Sequence, residues 1–573
     1  MKFFLSSSIW NKENVKSKFF PYLIFSFILF ILFFFLVLPV SNIVAKAVYD
    51  SSGFSFKYLK LLLANDLYTQ GIINSLMIGL LTTFLAVLVS LPLAMLNSKF
   101  NYKGKGVLSA LLLVPMVMPP FVGAIGIQRF FARFGSINIF LLDYNIISRP
   151  IDWLNPDYNL WIVSIISALH LYPILYLNLA AAIANVDPSL EEAAASLGSS
   201  RFQRFKDIMI PLITPGFFSG SIIIFIWSFT DLGTPLLVGF HETVPVYIFN
   251  LITNIDDNPV GYALVLSVII ITSSIFLLSK LAFSKKKYEM LGKGHSVTDV
   301  SNAGFKQSFL IYSLSLLVIF LALIPHITVA ITSLSHNWFM TSLPEKLTMS
   351  HYATIFSNNL SLTGLQNSLF LSTTATLLNI VLGLTISYIV TRKLIPFGNF
   401  LDSLVMVPLA LPGVVLAFGY VITYTGTWLD PLSNPIPLLI IAYSIRRLPF
   451  MVRAATAGLQ QTSQSLEEAS LLFGASKLKT LFKITIPLLM ANLIAGSLMC
   501  FSYAMLDVSD SLILAMKDEY YPLTKAIYAF YLEQGNGEFV ASALGMFAMF
   551  VLSISIFSAA KALGQRMGEL FKA

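Results

Sequence analysis

The chain has 573 residues, 56% of them hydrophobic and only 11% charged, with a net charge of +8 and a mean hydropathy of +0.79. A water-soluble domain carries roughly 25% charged residues, so the composition excludes a soluble globular protein and defines an integral membrane protein. The single cysteine, Cys500, excludes an intramolecular disulfide and a cysteine-cluster metal site; its apolar surroundings mark it as a small buried side chain.

A polar, basic start (Lys2, Lys12, Lys16, Lys18) precedes an apolar run from Phe19 to Val40. Together with Ala45-Lys46-Ala47 this imitates a cleaved signal peptide. The run is too long for one, however, and long enough to cross a bilayer, which takes about 20 residues. We read it as an uncleaved first span. Further spans are expected near 72–96, 107–127, 160–184, 208–229 and 259–282. A hydrophilic linker, 285–307, follows with Lys285-Lys286-Lys287. Six more spans are expected near 308–332, 366–391, 401–424, 436–457, 484–506 and 539–563. The reading is therefore an all-α membrane protein of about 12 transmembrane helices, split into halves at 1–284 and 308–573.

Two equal halves invite a search for a repeat. Asn74-Ser75-Leu76 matches Asn367-Ser368-Leu369, Pro115 matches Pro408 and Pro119 matches Pro412, all at an offset of 293. Further on, Pro173 matches Pro449, Glu192 matches Glu468, Gly198 matches Gly474, Pro211 matches Pro487 and Asp231 matches Asp507, at an offset of 276. The first half thus carries extra residues between its third and fourth spans, around Gln128–Asn159. An even number of spans per half makes the repeats parallel, related by an axis along the membrane normal. Placing both termini inside puts most Lys and Arg on that side, as the positive-inside rule requires. The outer segments, with Asp143, Asp152, Asp157, Asp256, Asp257, Asp518 and Glu519, are net acidic.

Two polar, amphipathic stretches between spans are also matched. Glu191-Glu192-Ala193-Ala194-Ala195-Ser196-Leu197-Gly198 runs on to Ile210-Pro211, and Glu467-Glu468-Ala469-Ser470-Leu471-Leu472-Phe473-Gly474 runs on to Ile486-Pro487. Asp187 and Pro188 read as a cap and first residue of a short helix, with Gly198 at its end. The second copy offers Thr462, Ser463 and Ser465 as caps instead. The spacing from the second Glu to Gly to Pro resembles the EAA loop of ABC-importer permeases, with Ile210 and Ile486 in place of Leu and Ser470 in place of Ala. Two such loops in one chain resemble a fused permease, and Asp231-Leu232-Gly233-Thr234-Pro235-Leu236 resembles a segment of the ferric-iron permease family, with Leu232 in place of Phe.

That resemblance implies a type I importer fold of two parallel six-helix repeats in a bacterial inner membrane. It further implies that Glu191, Glu192, Ala193, Gly198, Glu467, Glu468, Ala469 and Gly474 belong to coupling helices seated on two copies of an ATPase subunit. ATP and magnesium would be held by that subunit, with no cofactor in this chain, and an extracytoplasmic binding protein would deliver the solute. Ferric iron is the first expectation for the cargo; thiamine, 2-aminoethylphosphonate, polyamines, sulfate and molybdate are handled by similar permeases. An interfacial helix lying on lipid headgroups is the plainer reading of each polar stretch.

Ionisable residues at membrane depth are costly and usually face a cavity or a partner. Asp231, Asp507 and Asp510, after the fifth span of each half, therefore either flank a pathway or cap helices at the interface. Arg453, on the tenth span with Arg446 and Arg447, either pairs with a carboxylate, meets an anion or snorkels. His170, His241, His326, His336 and His351 show no metal-ligand spacing. No phosphate-binding Gly-rich loop and no basic tail is present, so neither nucleotide hydrolysis nor nucleic-acid binding is expected of the chain itself. The rival class is a secondary transporter of two six-helix halves, which would need no ATPase; a membrane-embedded enzyme lacks a convergent catalytic set.

Overall fold

The computed structural model describes residues 10–50, 53–117, 119–184, 186–252, 259–284 and 301–563. The Lys285–Lys287 run and the Asp256–Asp257 pair lie outside them. Among the described residues nine helices are long and apolar enough to cross a membrane, or eleven if each of two bent pairs is one span. The tenth expected span, Ile436–Gln461, is a 26-residue helix that carries Arg446, Arg447 and Arg453. Strand is confined to three two-stranded ribbons.

The spans expected near 107–127 and 401–424 are each a bent pair of helices. Lys105–Met116 and Pro120–Asp143 meet at 85°, and Gly398–Ala410 and Gly413–Tyr424 meet at 101°. The breaks fall at Pro119 and Pro412, the matched prolines. A proline has no N–H for the carbonyl four residues earlier and its ring collides with it, and in lipid the freed carbonyl must find another donor. His170 supplies one: its Nδ1 donates to Pro115 O at 2.8 Å.

Prolines also widen helices here. Ile210 N–H bonds to Phe205 O and Ile486 N–H to Leu481 O, five residues back, giving π-turns at Phe205–Met209 and Leu481–Thr485 just before Pro211 and Pro487. A third π-turn, Phe33–Val37, precedes Pro39 in the first span. Leu38 N–H is given there to Phe33 O, leaving Phe34 O without it, and Pro39 has no N–H to offer Phe35 O. Tyr424 Oη donates to Phe34 O at 2.6 Å and Tyr420 Oη to Phe35 O at 2.7 Å.

That contact belongs to one of two compact units, and the units cut across the repeats. One unit contains residues 10–46, 365–522 and 555–563; the other contains the described residues of 47–364 and 523–554. In the first unit the opening span packs on the bent ninth span, where a Cβ on Gly419 would lie 3.0 Å from Pro39 Cβ. In the second unit the seventh span, Phe305–Leu334, packs on the outer arm of the third, where a Cβ on Gly126 would lie 2.0 Å from Pro325 O. Gly126 and Gly419 are one repeat position at the offset of 293. Each half therefore lends its first span to a glycine on the third span of the other half.

Within a half, the second span packs along the fourth. Ser90 Oγ donates to Tyr172 O at 2.8 Å, and Ser387 Oγ to Val452 O at 2.8 Å. Small or hydroxylated residues at such crossings allow close approach where burial from water offers no driving force. A cluster of buried aliphatics with Tyr172 and Tyr176 fills the space between these helices in the first half.

Candidate functional site

The two EAA-like stretches fold alike. Pro188–Ser196 begins at Asp187, whose side chain accepts from Ser189 N at 2.9 Å. That amide holds the exposed Asp187 carboxyl below its ordinary range. Gln464–Leu472 begins at Ser463, which accepts from Ser465 N at 3.3 Å. Both helices end on a left-handed glycine, Gly198 and Gly474, each at φ +85°. Ser199 N bonds to Ala194 O and Gly198 N to Ala195 O; Ala475 N bonds to Ser470 O and Gly474 N to Leu471 O. This is the six-to-one and five-to-two pairing that satisfies the last carbonyls of a helix. The next turn starts at Ser200 in one copy and Ser476 in the other, each accepting from the residue three further on.

The loops present apolar surface. Leu197 and Phe473, the residues before the glycines, are 88% and 92% exposed. Leu190, Phe202, Leu466, Leu472 and Leu478 are exposed beside them. Glu192, Ala193 and Glu468 are exposed as well, and Ala469 is half-buried. Glu191 and Glu467 are different: each turns back to a membrane helix. Glu191 pairs with Lys99 at 3.1 Å, and Glu467 with Arg392 at 2.8 Å. Sequence reasoning missed these partners, although Lys99 and Arg392 occupy one position at the offset of 293.

Asp231, Asp507 and Asp510 part company with one another. Asp231 Oδ1 accepts from Gly233 N at 3.1 Å and starts the short helix Gly233–Val238. Gln128 Nε2 closes the other end of that helix, donating to Val238 O at 2.8 Å. Asp507 Oδ1 does the same cap work, accepting from Asp510 N at 2.8 Å. Its other oxygen meets two guanidiniums: Arg446 Nη1 lies 2.6 Å away, and Arg447 Nη2 is also bonded to it. Arg446 Nη1 also reaches Asp510 Oδ2 at 2.7 Å. Arg447 is braced by Tyr503 O at 2.8 Å and lies over the Tyr443 ring. The first half has His170, Leu171 and Thr234 where the second has Arg446, Arg447 and Asp510, so this neutral set of two arginines and two aspartates exists in one half only. Gly413 makes room for it, since a Cβ there would lie 2.4 Å from Arg446 Nη1.

Arg453 pairs with Asp402 at 3.2 Å and is 55% exposed. The structure thus brings Asp507 and Asp510 together with Arg446 and Arg447, and sets Arg453 apart from them. Cys500 is buried, its thiol directed at Arg447 O.

A bundle of apolar spans with two matched, outward-facing interhelical loops defines a multi-pass membrane permease built as two fused repeats. The chain belongs to the binding-protein-dependent transport system inner membrane component family, which it matches over residues 86–287 and 383–569. It is 28% identical, over 92% of its length and 76% of the relative's, to the ferric transport system permease protein FbpB of Actinobacillus pleuropneumoniae. It is 30% identical to the putative ferric transport system permease protein FbpB 1 of Haemophilus influenzae, over 86% of this chain and 77% of that one. The spermidine/putrescine transport system permease protein PotB of Haemophilus influenzae is 31% identical over 34% of this chain and 68% of its own.

Proposed function

We propose that the chain is the pore subunit of an ATP-driven importer of ferric iron in the bacterial inner membrane. The observation that carries the ATP-driven reading is the pair of loops, each ended by a left-handed glycine, that hold Leu197 and Phe473 out of the protein. Exposed large side chains on short capped helices suit docking into a groove of a partner. Two ATPase subunits would each receive one loop, on the inner face, with both termini on that side. An outer binding protein would deliver the ion, ATP-driven closure would move the loops together, and hydrolysis would reset the pore.

The cargo assignment is supported by the two ferric transport relatives, which are similar along most of the chain, whereas the polyamine permease aligns with a third of it. Among the outer carboxylates, Asp507 and Asp510 are neutralised by Arg446 and Arg447. Asp231 has no ion-pair partner among the described residues, which makes it the carboxylate best suited to meet a cation in passage; Arg453, paired with Asp402, is a weaker candidate.

Uptake of labelled ferric iron at limiting concentration, in cells with and without the gene, tests the assignment. Loss with the gene and return on complementation is expected. Unchanged iron uptake, in cells with no other iron importer, would discard iron, and uptake of labelled spermidine instead would identify the polyamine reading. Asp231→Asn separates charge from capping, because Asn caps a helix as well as Asp. A raised KM for uptake in a normally folded variant is expected; unchanged uptake would leave Asp231 as a cap only.

A further inference from the structure

The paired glutamates of each coupling helix divide their work. Glu192 and Glu468 face out, and Glu468 accepts only from Gln464 Nε2 of its own helix among the described residues, at 3.0 Å. Glu191 and Glu467 face in, toward the inner end of the second span of their own half. In the first half Lys99, the last residue of Asp66–Lys99, holds Glu191 through Nζ at 3.1 and 3.4 Å to its two oxygens. In the second half Arg392, which follows Asn359–Thr391, holds Glu467 Oε1 at 2.8 Å, and Tyr388 Oη donates to Glu467 Oε2 at 2.9 Å. Arg392 Nη2 also reaches Thr462 O at 3.4 Å, on the chain entering the coupling helix.

The basic residues correspond at one repeat offset and the glutamates at another, so the same pair has been kept across an insertion that lies between them. We propose that these ion pairs are latches that transmit coupling-helix motion into the second and eighth spans. The coupling helix is joined by the chain only to the fourth and fifth spans of its half, or the tenth and eleventh. The latch adds a third point of attachment, at a helix packed along the fourth or tenth. This rests on the importer reading above.

The two latches are unequal. Lys99 and Glu191 are 41% and 27% exposed, whereas Arg392 and Glu467 are 9% and 7% exposed. An exposed pair is screened by salt and contributes little, while a buried pair is costly to break from one side. Glu467 is therefore the firm attachment and Glu191 the yielding one. The second coupling helix moves with its membrane helices as one body, and the first has slack.

Charge reversal in the full complex, reconstituted with ATPase and binding protein, tests this. E467R and R392E are each expected to lower uptake per ATP hydrolysed by at least about tenfold while the ATPase still co-purifies, and R392E/E467R to return it to within about threefold, since a swapped pair restores the contact. E191K and K99E are expected to cost only about two- to threefold, and less at high salt. Arg392→Lys, which keeps the charge, should retain most coupling, and Tyr388→Phe should weaken it without unfolding. Normal coupling in Tyr388→Phe and in both single reversals would overturn the latch, as would no recovery in a double variant that assembles. Failure of the unaltered chain to bind any ATPase would instead overturn the importer reading.

Discussion

One backbone angle ends each EAA-like helix. At Gly198 and Gly474 φ is +85°, and a Cβ would meet nothing within 4 Å, so the glycine is there for conformation and not for space. An L-residue with a side chain costs about 1–2 kcal/mol in that region, and Asn least among them. Gly474→Val is expected to lower uptake and ATPase co-purification, with Gly474→Asn close to the unaltered chain. Equal loss in both variants would show that size matters and the angle does not. Arg447 is the other telling residue. It is buried with Asp507 and Asp510, so Arg447→Ala leaves two buried carboxylates to share Arg446, one negative charge uncompensated, and is expected to destabilise the protein by about 3–5 kcal/mol, read as a fall in its melting temperature in detergent. The glycines and caps could be read from sequence because a helix end is a local matter. The ion pairs could not, because Arg446 and Arg447 stand about 60 residues from Asp507, and nothing in either stretch names its partner; the half-to-half comparison shows only that the charges are new to the second copy.

At the scale of the element, prolines explain where helices bend and widen. Pro211 and Pro487 sit after π-turns at the entry to the fifth and eleventh spans, which follow the EAA-like helices in the chain. Such widened turns are frequent at functional sites, and here they lie on the covalent route from loop to pore. Pro211→Ala supplies the missing N–H and should let the turn at Phe205–Met209 relax to an ordinary α-helix. Slower amide exchange across those residues together with reduced uptake is expected; slower exchange with normal uptake would make the π-turn incidental. The prolines were visible in sequence as matched pairs at Pro119 and Pro412, but the 85° and 101° bends were not. A proline permits a bend, and its angle is set by what packs into it: His170 on Pro115 O in one half, Arg446 beneath Gly413 in the other.

For the whole molecule, the span plan was legible because lipid imposes it: an apolar run of sufficient length has few alternatives. The tenth expected span is a helix, Ile436–Gln461, but with its three arginines it is not among the helices apolar enough to cross by length and composition. The exchange of first spans was not legible. Gly126 and Gly419 match by number, but only their contacts with Pro325 and Pro39 reveal that each half's opening helix serves the other. Such an exchange makes the halves mutually dependent. That both loops seat on an ATPase is the central claim. Its most direct measurement is photo-cross-linking from a light-activated amino acid placed at Leu197 or at Phe473 in the assembled transporter, with Phe140 in the Gln128–Asn159 insert as the control. ATPase adducts from both loop positions and none from Phe140 are expected. Adducts from neither loop, in a complex that still hydrolyses ATP and transports, would contradict it.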